Sequence, residues 1–273
     1  MKQQVYPACA SDTNWFLAVN FLYHPWVYKN ASVRDLFKFW HVLGLLCLQI
    51  VPILSRNCNP LLLEPIPELD FFEEQHRYRW RNNWILENVS DVLQGELNAF
   101  AKKKIEKTKH GEDGWLVRGK TIHRSLDRYL RGEPDTHDDK WSPWIDALLS
   151  DELFQGIETL ATEFCVVDRF NSVAGSFDFL VRYKDDPSFV ILGDLKTVSS
   201  AKAVSGRKAA TGQLGAYTKM LGQHFGYISV TQCVTVVSGP EKCKVIRQQP
   251  EDCINAWEEA FGKHQAKCAS FDF

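Results

Sequence analysis

One predicted strand constrains the fold and the function of this chain more than any other stretch. Residues 190–197 read Val-Ile-Leu-Gly-Asp-Leu-Lys-Thr, and an apolar run with β-branched residues predicts a buried strand. Because side chains alternate along a strand, Asp194 and Lys196 are expected on the same face. Burying a carboxylate and an ammonium group is costly, so we interpret the pair as functional. The alternative is a buried ion pair that serves only the fold.

Four more side chains from neighbouring segments complete a candidate site. Two strand-like runs precede residues 190–197; the first carries Glu163 and the second carries Asp178. Downstream, Gln213 and Tyr217 are four residues apart, which places them on one face of a predicted helix. The set predicts a site for a divalent metal and a phosphate. Two alternatives stay open: Glu163 as a solvent-facing strand acid, and Gln213 and Tyr217 as residues that only pack the helix on the sheet.

Magnesium chemistry gives the residues of this site separate roles. Mg²⁺ prefers hard oxygen ligands and keeps several waters, and Asp178, Asp194 and the carbonyl oxygen of Leu195 can supply such oxygens. Glu163 is expected to bind the ion directly or through a water. A bound metal lowers the pKa of a water and neutralises charge on a phosphate. Lys196 is expected to orient that water or to stabilise the transition state.

The charge balance excludes a uniformly basic nucleic-acid-binding protein. The 273 residues carry a formal net charge of −2, so a nucleic acid has to be held by local patches. Lys202, Arg207 and Lys208 lie between residues 190–197 and the helix of Gln213, and we expect them to contact DNA. Lysines 102–104 are the next candidates, with a solvated helix face as the alternative for that charge run.

The cysteines favour a reducing compartment. Eight cysteines are widely scattered, and none forms a Cys-x-x-Cys pair, so the spacing of a zinc ribbon is absent. We therefore interpret them as reduced thiols of a cytoplasmic protein.

The N-terminal quarter differs from the rest of the chain. Pro60, Pro65 and Pro67 predict a linker, so we divide the chain into an appendage of uncertain structure, residues 1–68, and a domain, residues 69–273. The apolar stretch 42–51 is shorter than the roughly 20 residues that a membrane span needs. A membrane-tethered protein is the alternative, but no stable membrane association is expected.

The domain alternates between helices and strands. A hairpin over residues 71–80 and a helix over residues 119–130 come first, followed by the three strands described above. A polar link, residues 199–208, leads into a helix from about 209 to 224, then two more strands and a closing helix.

Four short motifs, in this order and spacing, resemble those of a known nuclease superfamily. They are Gly119-x-x-x-His123, Gly175-x-x-Asp178, Asp194-x-Lys196 and Gln213-x-x-x-Tyr217. Together they resemble the PD-(D/E)XK nuclease superfamily, and within it the RecB-like exonuclease branch of phage and bacterial type. The hairpin at residues 75–78 is similar to the N-terminal lead-in of phage-type members. The resemblance covers about residue 69 to the C-terminus, and the triplet has Asp where many relatives have Glu.

The resemblance implies an α/β, restriction-endonuclease-like core, in which a central mixed β-sheet is flanked by helices, and a magnesium-dependent DNA phosphodiesterase. It implies that His123 binds metal, with a helix-surface pair to Asp127 as the alternative, and that Gln213 and Tyr217 position DNA. The expected function is an exonuclease that acts on DNA with a free end in recombination, repair or phage DNA processing. A helicase or a recombinase is a candidate protein partner.

A rival interpretation from another class is a non-catalytic nucleic-acid-binding or partner subunit on the same fold. The complete set of Asp178, Asp194 and Lys196 argues against it. Some relatives bind an iron–sulfur cluster through an upstream cysteine and a C-terminal trio. Cys243, Cys253 and Cys268 are too widely spaced for that trio, so no cluster is expected. Mg²⁺, with Mn²⁺ as a substitute, is the expected cofactor.

Overall fold

In a computed structural model of the protein, the described residues are 63–93, 109, 111 and 114–270. They all belong to one unit of the chain, residues 61–273. The predictions for residues 1–62, including the apolar stretch 42–51, and for lysines 102–104 fall outside the described residues. None of the helices in the described part of the chain is both long enough and apolar enough to cross a bilayer.

A small antiparallel sheet opens the described part of the chain. Strand β1 (Leu69–Phe72) pairs with β2 (Arg77–Trp80), and β2 pairs with β3 (Asn83–Trp84). The hairpin predicted over residues 71–80 is therefore confirmed. Alternation along β2 leaves Arg77 exposed and buries Tyr78 at 3% exposure, so one face of this small sheet packs on the domain.

The main sheet has six strands and is mixed. Its strands are β4 (Glu87–Asn88), β5 (Ile157–Val167), β6 (Val173–Tyr183), β7 (Val190–Thr197), β8 (Val230–Gly239) and β9 (Lys242–Gln248). The order is β4-β6-β7-β8-β9, and β5 pairs with β6. β6 is antiparallel to β5 and β7, whereas β7 and β8 are parallel. The buried strand predicted over residues 190–197 coincides with β7.

Helices cover the sheet on both sides. They are α1 (Val89–Leu93), α2 (Trp115–Leu130), α3 (Ser142–Leu149), α4 (Ala201–Gly206), α5 (Thr211–His224) and α6 (Pro250–Ala269). Ile122 of α2 and Leu148 of α3 pack in one core with Ile191 of β7, whereas Leu214 of α5 packs in a second core with Leu192. Successive β7 side chains thus enter opposite cores, and the predicted mixed sheet flanked by helices is confirmed.

The polar link after β7 contains a helix that the sequence analysis did not predict. Ser200 precedes α4, and its hydroxyl accepts the backbone N–H of Ala203. A serine at this position satisfies one of the free N–H groups at a helix start. Val204 is fully buried and anchors the short helix against the domain.

The segment before β1 contacts the main sheet. The N–H of Leu63 donates to the carbonyl oxygen of Leu160 over 2.6 Å, and Ile66 is 4% exposed within the core. The division of the chain at residue 68 stays a prediction. Because these two contacts lie upstream of it, a truncated protein that keeps them has to begin before Leu63.

Candidate active site

The candidate site lies where β6 and β7 separate. The two strands pair from Arg182 and Val190 as far as Phe179 and Gly193, and β7 then continues beside β8 alone. Beyond the last pair, the Asp178 carboxylate accepts the backbone N–H of Leu195. A backbone donor freed by strand separation is thus satisfied by a side chain, which fixes the Asp178 carboxylate against β7.

His123 joins Asp178 and Glu163 in a group of three potential metal ligands. His123 Nδ1 lies 3.0 Å from Asp178 Oδ1 and 3.7 Å from Glu163 Oε1. One ligand atom from each of the three residues lies within 4.8 Å of the others. His123 thus faces Asp178, in place of the alternative pair with Asp127, whose carboxylate binds Arg131 over 2.7 Å.

Glu163 reaches this group through a distorted backbone. Its φ is +45°, in the left-handed region that non-glycine residues rarely adopt. Such conformations cost free energy and concentrate at functional sites. The side chain is 44% exposed, so Glu163 is both solvent-accessible and turned toward His123, rather than a strand acid that faces solvent alone.

A second group runs from β7 to α5. Lys196 Nζ lies 3.0 Å from Asp194 Oδ1 and 2.8 Å from Asp194 Oδ2, as expected for side chains on one strand face. The same ammonium group donates to Gln213 Oε1 over 2.9 Å, and Gln213 Nε2 donates to the Tyr217 hydroxyl over 2.9 Å. The expected i, i+4 pair on α5 therefore holds the lysine as well as packing the helix.

Gly175 makes room for the end of this chain of hydrogen bonds. A Cβ atom at residue 175 would lie 2.7 Å from Tyr217 Cε1 and 3.1 Å from Val89 Cγ2. Tyr217 is only 3% exposed, so moving its ring aside would disrupt the packing of the core. Gly175, the glycine of the second motif, thus leaves space for the Tyr217 ring, whose hydroxyl accepts the hydrogen bond from Gln213. With its ring buried, Tyr217 contacts the site through Gln213.

Burial and charge shift the pKa values of the four ionisable groups at the centre of the site. Burial works against the charged form of His123, but Asp178 and Glu163 outweigh it and raise the pKa of His123 to about 10. Burial also opposes ionisation of Asp178, yet His123 and Lys196 hold its pKa below the usual value. Burial raises the pKa of Asp194, and Lys196 offsets this only in part. The pKa of Glu163 is also raised, by desolvation of its carboxylate although the side chain is 44% exposed, and His123 offsets this in part.

The donor set fits a divalent metal. Two carboxylates and an imidazole suit hard and borderline ions such as Mg²⁺ and Mn²⁺. Asp194 Oδ2 is buried and lacks a well-directed hydrogen-bond donor among the described residues, despite the nearby lysine, which leaves a lone pair for a ligand. His123, Glu163 and Asp178 are brought together, whereas Asp194 lies beside Lys196. Leu195 takes part through its N–H, and a role for its carbonyl oxygen stays a prediction.

The three basic residues proposed to contact DNA lie after β7. Lys202 is on α4, and Arg207 and Lys208 follow it. All three are exposed, and none forms an ion pair with another described residue. They are not part of the metal and lysine groups, and their contact with DNA stays a prediction.

Tyr78 is a residue of the site that the sequence analysis did not identify. It comes from the small sheet, is 3% exposed, and its pKa is raised by burial, with Cys165 and Glu163 adding to the effect. The charge of Glu163 therefore acts on Tyr78, which relates the hairpin electrostatically to the candidate metal site. The alternation of Arg77, Tyr78 and Arg79 is a sequence signal for its burial, but not for its neighbour on β5.

Because the pKa of His123 is raised, we expect the free energy of unfolding of the metal-free protein to depend on pH. A histidine whose folded pKa is raised stabilises the fold fully below about pH 6.5, and the stabilisation is lost as pH rises toward 10. The free energy of unfolding should fall by at most about 1.4 kcal/mol per pH unit over this range. Chemical denaturation with a chelator measures it, and His123→Asn should flatten the profile. An equal slope in both proteins would contradict the assigned ion group.

Comparisons with known proteins find distant structural similarity. A candidate exonuclease from Eubacterium rectale has a TM-score of 0.37 and 14% identity, over 64% of this chain and 76% of its own. An alkaline exonuclease from Laribacter hongkongensis has a TM-score of 0.32 and 11% identity, over 67% and 90%. No family model and no curated protein matches the chain. Similarity at this level identifies no family, so function is inferred from the site itself.

Proposed function

We propose that this protein is a magnesium-dependent nuclease that hydrolyses DNA phosphodiester bonds. The observation that carries the proposal is the position of Lys196. Its ammonium group has three N–H donors, of which Asp194 and Gln213 take two. The third has no acceptor among the described residues, and the side chain is 24% exposed, so it is available to a substrate.

The metal-ligand group and the lysine group have different roles in the proposed reaction. His123, Glu163 and Asp178 would hold the metal, with the lone pair of Asp194 Oδ2 at its edge. A metal bound there supplies positive charge beside the phosphate and a water of lowered pKa. Lys196 donates its third N–H to the attacking water or to a phosphate oxygen. Asp194 pairs with that lysine over 2.8 Å, and Gln213 fixes its direction.

The arrangement favours catalysis over the two alternatives. An ion pair that serves only the fold needs neither a third partner such as Gln213 nor a group of metal ligands beside it. A non-catalytic DNA-binding subunit needs neither a strained Glu163 nor a lysine with an N–H that has no acceptor among the described residues. The same residues carry the proposed membership of the RecB-like branch of the PD-(D/E)XK superfamily.

The substrate we propose is DNA with a free end, as in recombination, repair or phage DNA processing, with a helicase or recombinase as a candidate partner. Incubation with linear and with covalently closed circular duplex DNA, each with Mg²⁺, tests this choice. Degradation of the linear DNA alone is expected. Nicking or linearisation of the circle at a similar rate would identify an endonuclease instead, and parallel reactions with single-stranded DNA and RNA would show the preferred substrate.

The basic residues after β7 are expected to contribute to DNA affinity. Replacing Lys202, Arg207 and Lys208 together by alanine removes up to three phosphate contacts, and each contact contributes about 0.9 to the log–log salt slope on duplex DNA. Affinity should fall and its salt dependence should become shallower. Fluorescence anisotropy without Mg²⁺ across a salt series measures both quantities without cleavage.

A matched triple variant controls for net charge in this experiment. Lys184 lies in the loop after β6, whereas Lys219 on α5 and Lys263 on α6 pair with Glu258 and Glu259. Replacing all three by alanine changes the net charge equally. The control should keep the wild-type slope. An unchanged slope in the Lys202, Arg207 and Lys208 variant would place the DNA elsewhere on the protein, with lysines 102–104 as the next candidates.

A further inference from the structure

A second group of potential metal ligands lies at the C-terminal end of α6. The helix is seated by an apolar stripe in which Cys253 is fully buried, Trp257 is 2% exposed and Phe261 is partly buried. The next two positions of that stripe, at helical spacing, are His264 and Cys268. At the end of the helix, the face that packs on the core thus carries an imidazole and a thiol and no longer carries large apolar side chains.

These two side chains meet a carboxylate from the start of the main sheet. His264 Nε2 lies 3.4 Å from Glu87 Oε1 and 3.7 Å from Cys268 Sγ. One ligand atom from each of the three residues lies within 4.8 Å of the others. The group shares no residue with the candidate active site.

We propose that Glu87, His264 and Cys268 bind Zn²⁺. Zinc bonds of about 2.0–2.1 Å to nitrogen, 2.0–2.2 Å to oxygen and 2.3 Å to sulfur give tetrahedral edges of about 3.3–3.5 Å between nitrogen and oxygen and about 3.6 Å between nitrogen and sulfur. The two measured separations, 3.4 Å and 3.7 Å, match these edges. Two of the three ligand–ligand edges therefore suit a tetrahedral zinc ion, and the third, between Glu87 and Cys268, lies within 4.8 Å. A water would complete the fourth position.

The ligand chemistry separates this site from the candidate active site. A thiolate and an imidazole select zinc over magnesium, whereas carboxylates select the harder ion. His123, Glu163 and Asp178 include no sulfur, so the two sites are expected to load different metals from a mixture. The proposal is independent of the nuclease function, since it uses neither the substrate nor the catalytic residues.

The proposed zinc ion would join two distant parts of the chain. Glu87 is in β4 and pairs with Val173 of β6, and residue 89, two positions later, contacts the Gly175 and Tyr217 region of the active site. The zinc would therefore connect the C-terminal end of α6 to β4, the strand that leads to residue 89. Because zinc binds only when both parts are in place, it stabilises the folded protein.

Cobalt substitution in the full chain tests the site directly. Co²⁺ occupies zinc sites, and thiolate ligation produces a charge-transfer band in the near ultraviolet that carboxylate and imidazole ligands do not produce. Titration of the metal-free protein with Co²⁺ in excess Mg²⁺ should produce this band at one equivalent, and Zn²⁺ should abolish it. Cys268→Ser should lose the band, while Cys243→Ser, a partly buried thiol on β9, should keep it.

A second measurement covers the other two ligands. Zn²⁺ should raise the melting temperature of the wild-type protein. In His264→Gln or Glu87→Gln this zinc-induced rise should be smaller, and it should shrink by more than either substitution lowers the melting temperature in a chelator. No thiolate band in the wild-type protein, or a band that Cys268→Ser leaves intact, would overturn the proposal. Equal zinc stabilisation of the wild type and His264→Gln would also overturn it.

Discussion

Replacement of Lys196 by alanine is expected to reduce DNA cleavage by about 10²–10³-fold, the effect of removing one positioned donor from a transition state. The N–H that donates to the substrate is lost, and Gln213 Oε1 loses its partner at 2.9 Å. Metal binding should persist because His123, Glu163 and Asp178 are unchanged. Single-turnover cleavage of an end-labelled duplex measures the rate, and calorimetric titration with Mn²⁺ measures the metal affinity.

The stability of the Lys196→Ala variant provides a separate readout. Asp194 is 3% exposed in its side chain, and without the lysine its carboxylate is buried without a partner. Since burial already raises the pKa of Asp194, we expect the group to take up a proton, which limits the loss of stability. Lys184→Ala, at an exposed lysine, is the matched control and should cleave at the wild-type rate. Full cleavage by Lys196→Ala would remove the lysine from the mechanism.

Asp178→Asn is expected to abolish both metal binding and cleavage. The amide keeps the shape of the side chain and an oxygen for the Leu195 N–H, but it removes one of the two carboxylate charges from the metal-ligand group. Loss of a residue that only orients a ligand typically costs 10–100-fold in metal affinity, so the loss of a ligand should exceed about 100-fold. Calorimetric titration and the cleavage assay together measure this effect.

The control for this variant is Asp185→Asn, at an exposed acid in the loop between β6 and β7. It removes the same charge from the protein and should bind metal and cleave as the wild type does. Wild-type metal affinity in Asp178→Asn would show that the ion is held elsewhere, for example by Asp194 alone.

Local periodicity predicted the parts of the site that lie on one element. The shared face of Asp194 and Lys196 follows from strand alternation, and the pairing of Gln213 with Tyr217 follows from helical spacing. Both relations involve residues within four positions of each other. The mixed sheet and its flanking helices, in contrast, were expected from the motif resemblance.

The unpredicted features depend on contacts between residues distant in the sequence. The Leu195 N–H binds Asp178 because β6 and β7 separate at Phe179, and that register is a tertiary property. The positive φ of Glu163 has no sequence signature, since glutamate rarely adopts it. The ring of Tyr217 on α5 packs against Gly175 of β6, a contact between elements that local periodicity does not specify. Its role in positioning DNA stays a prediction.

Cleavage of DNA on addition of Mg²⁺ tests the central claim most directly. Metal-free protein is bound to end-labelled linear duplex DNA, Mg²⁺ or a chelator is added, and products are resolved over time for the wild type, Lys196→Ala and Asp178→Asn. We predict that the wild type cleaves only with Mg²⁺ and that both variants bind DNA. Asp178→Asn should leave the DNA intact, and Lys196→Ala should cleave it about 10²–10³-fold more slowly than the wild type. Cleavage in the chelator, no cleavage by the wild type with Mg²⁺ or Mn²⁺, or equal cleavage by all three proteins would contradict the assignment of this site as a metal-dependent nuclease.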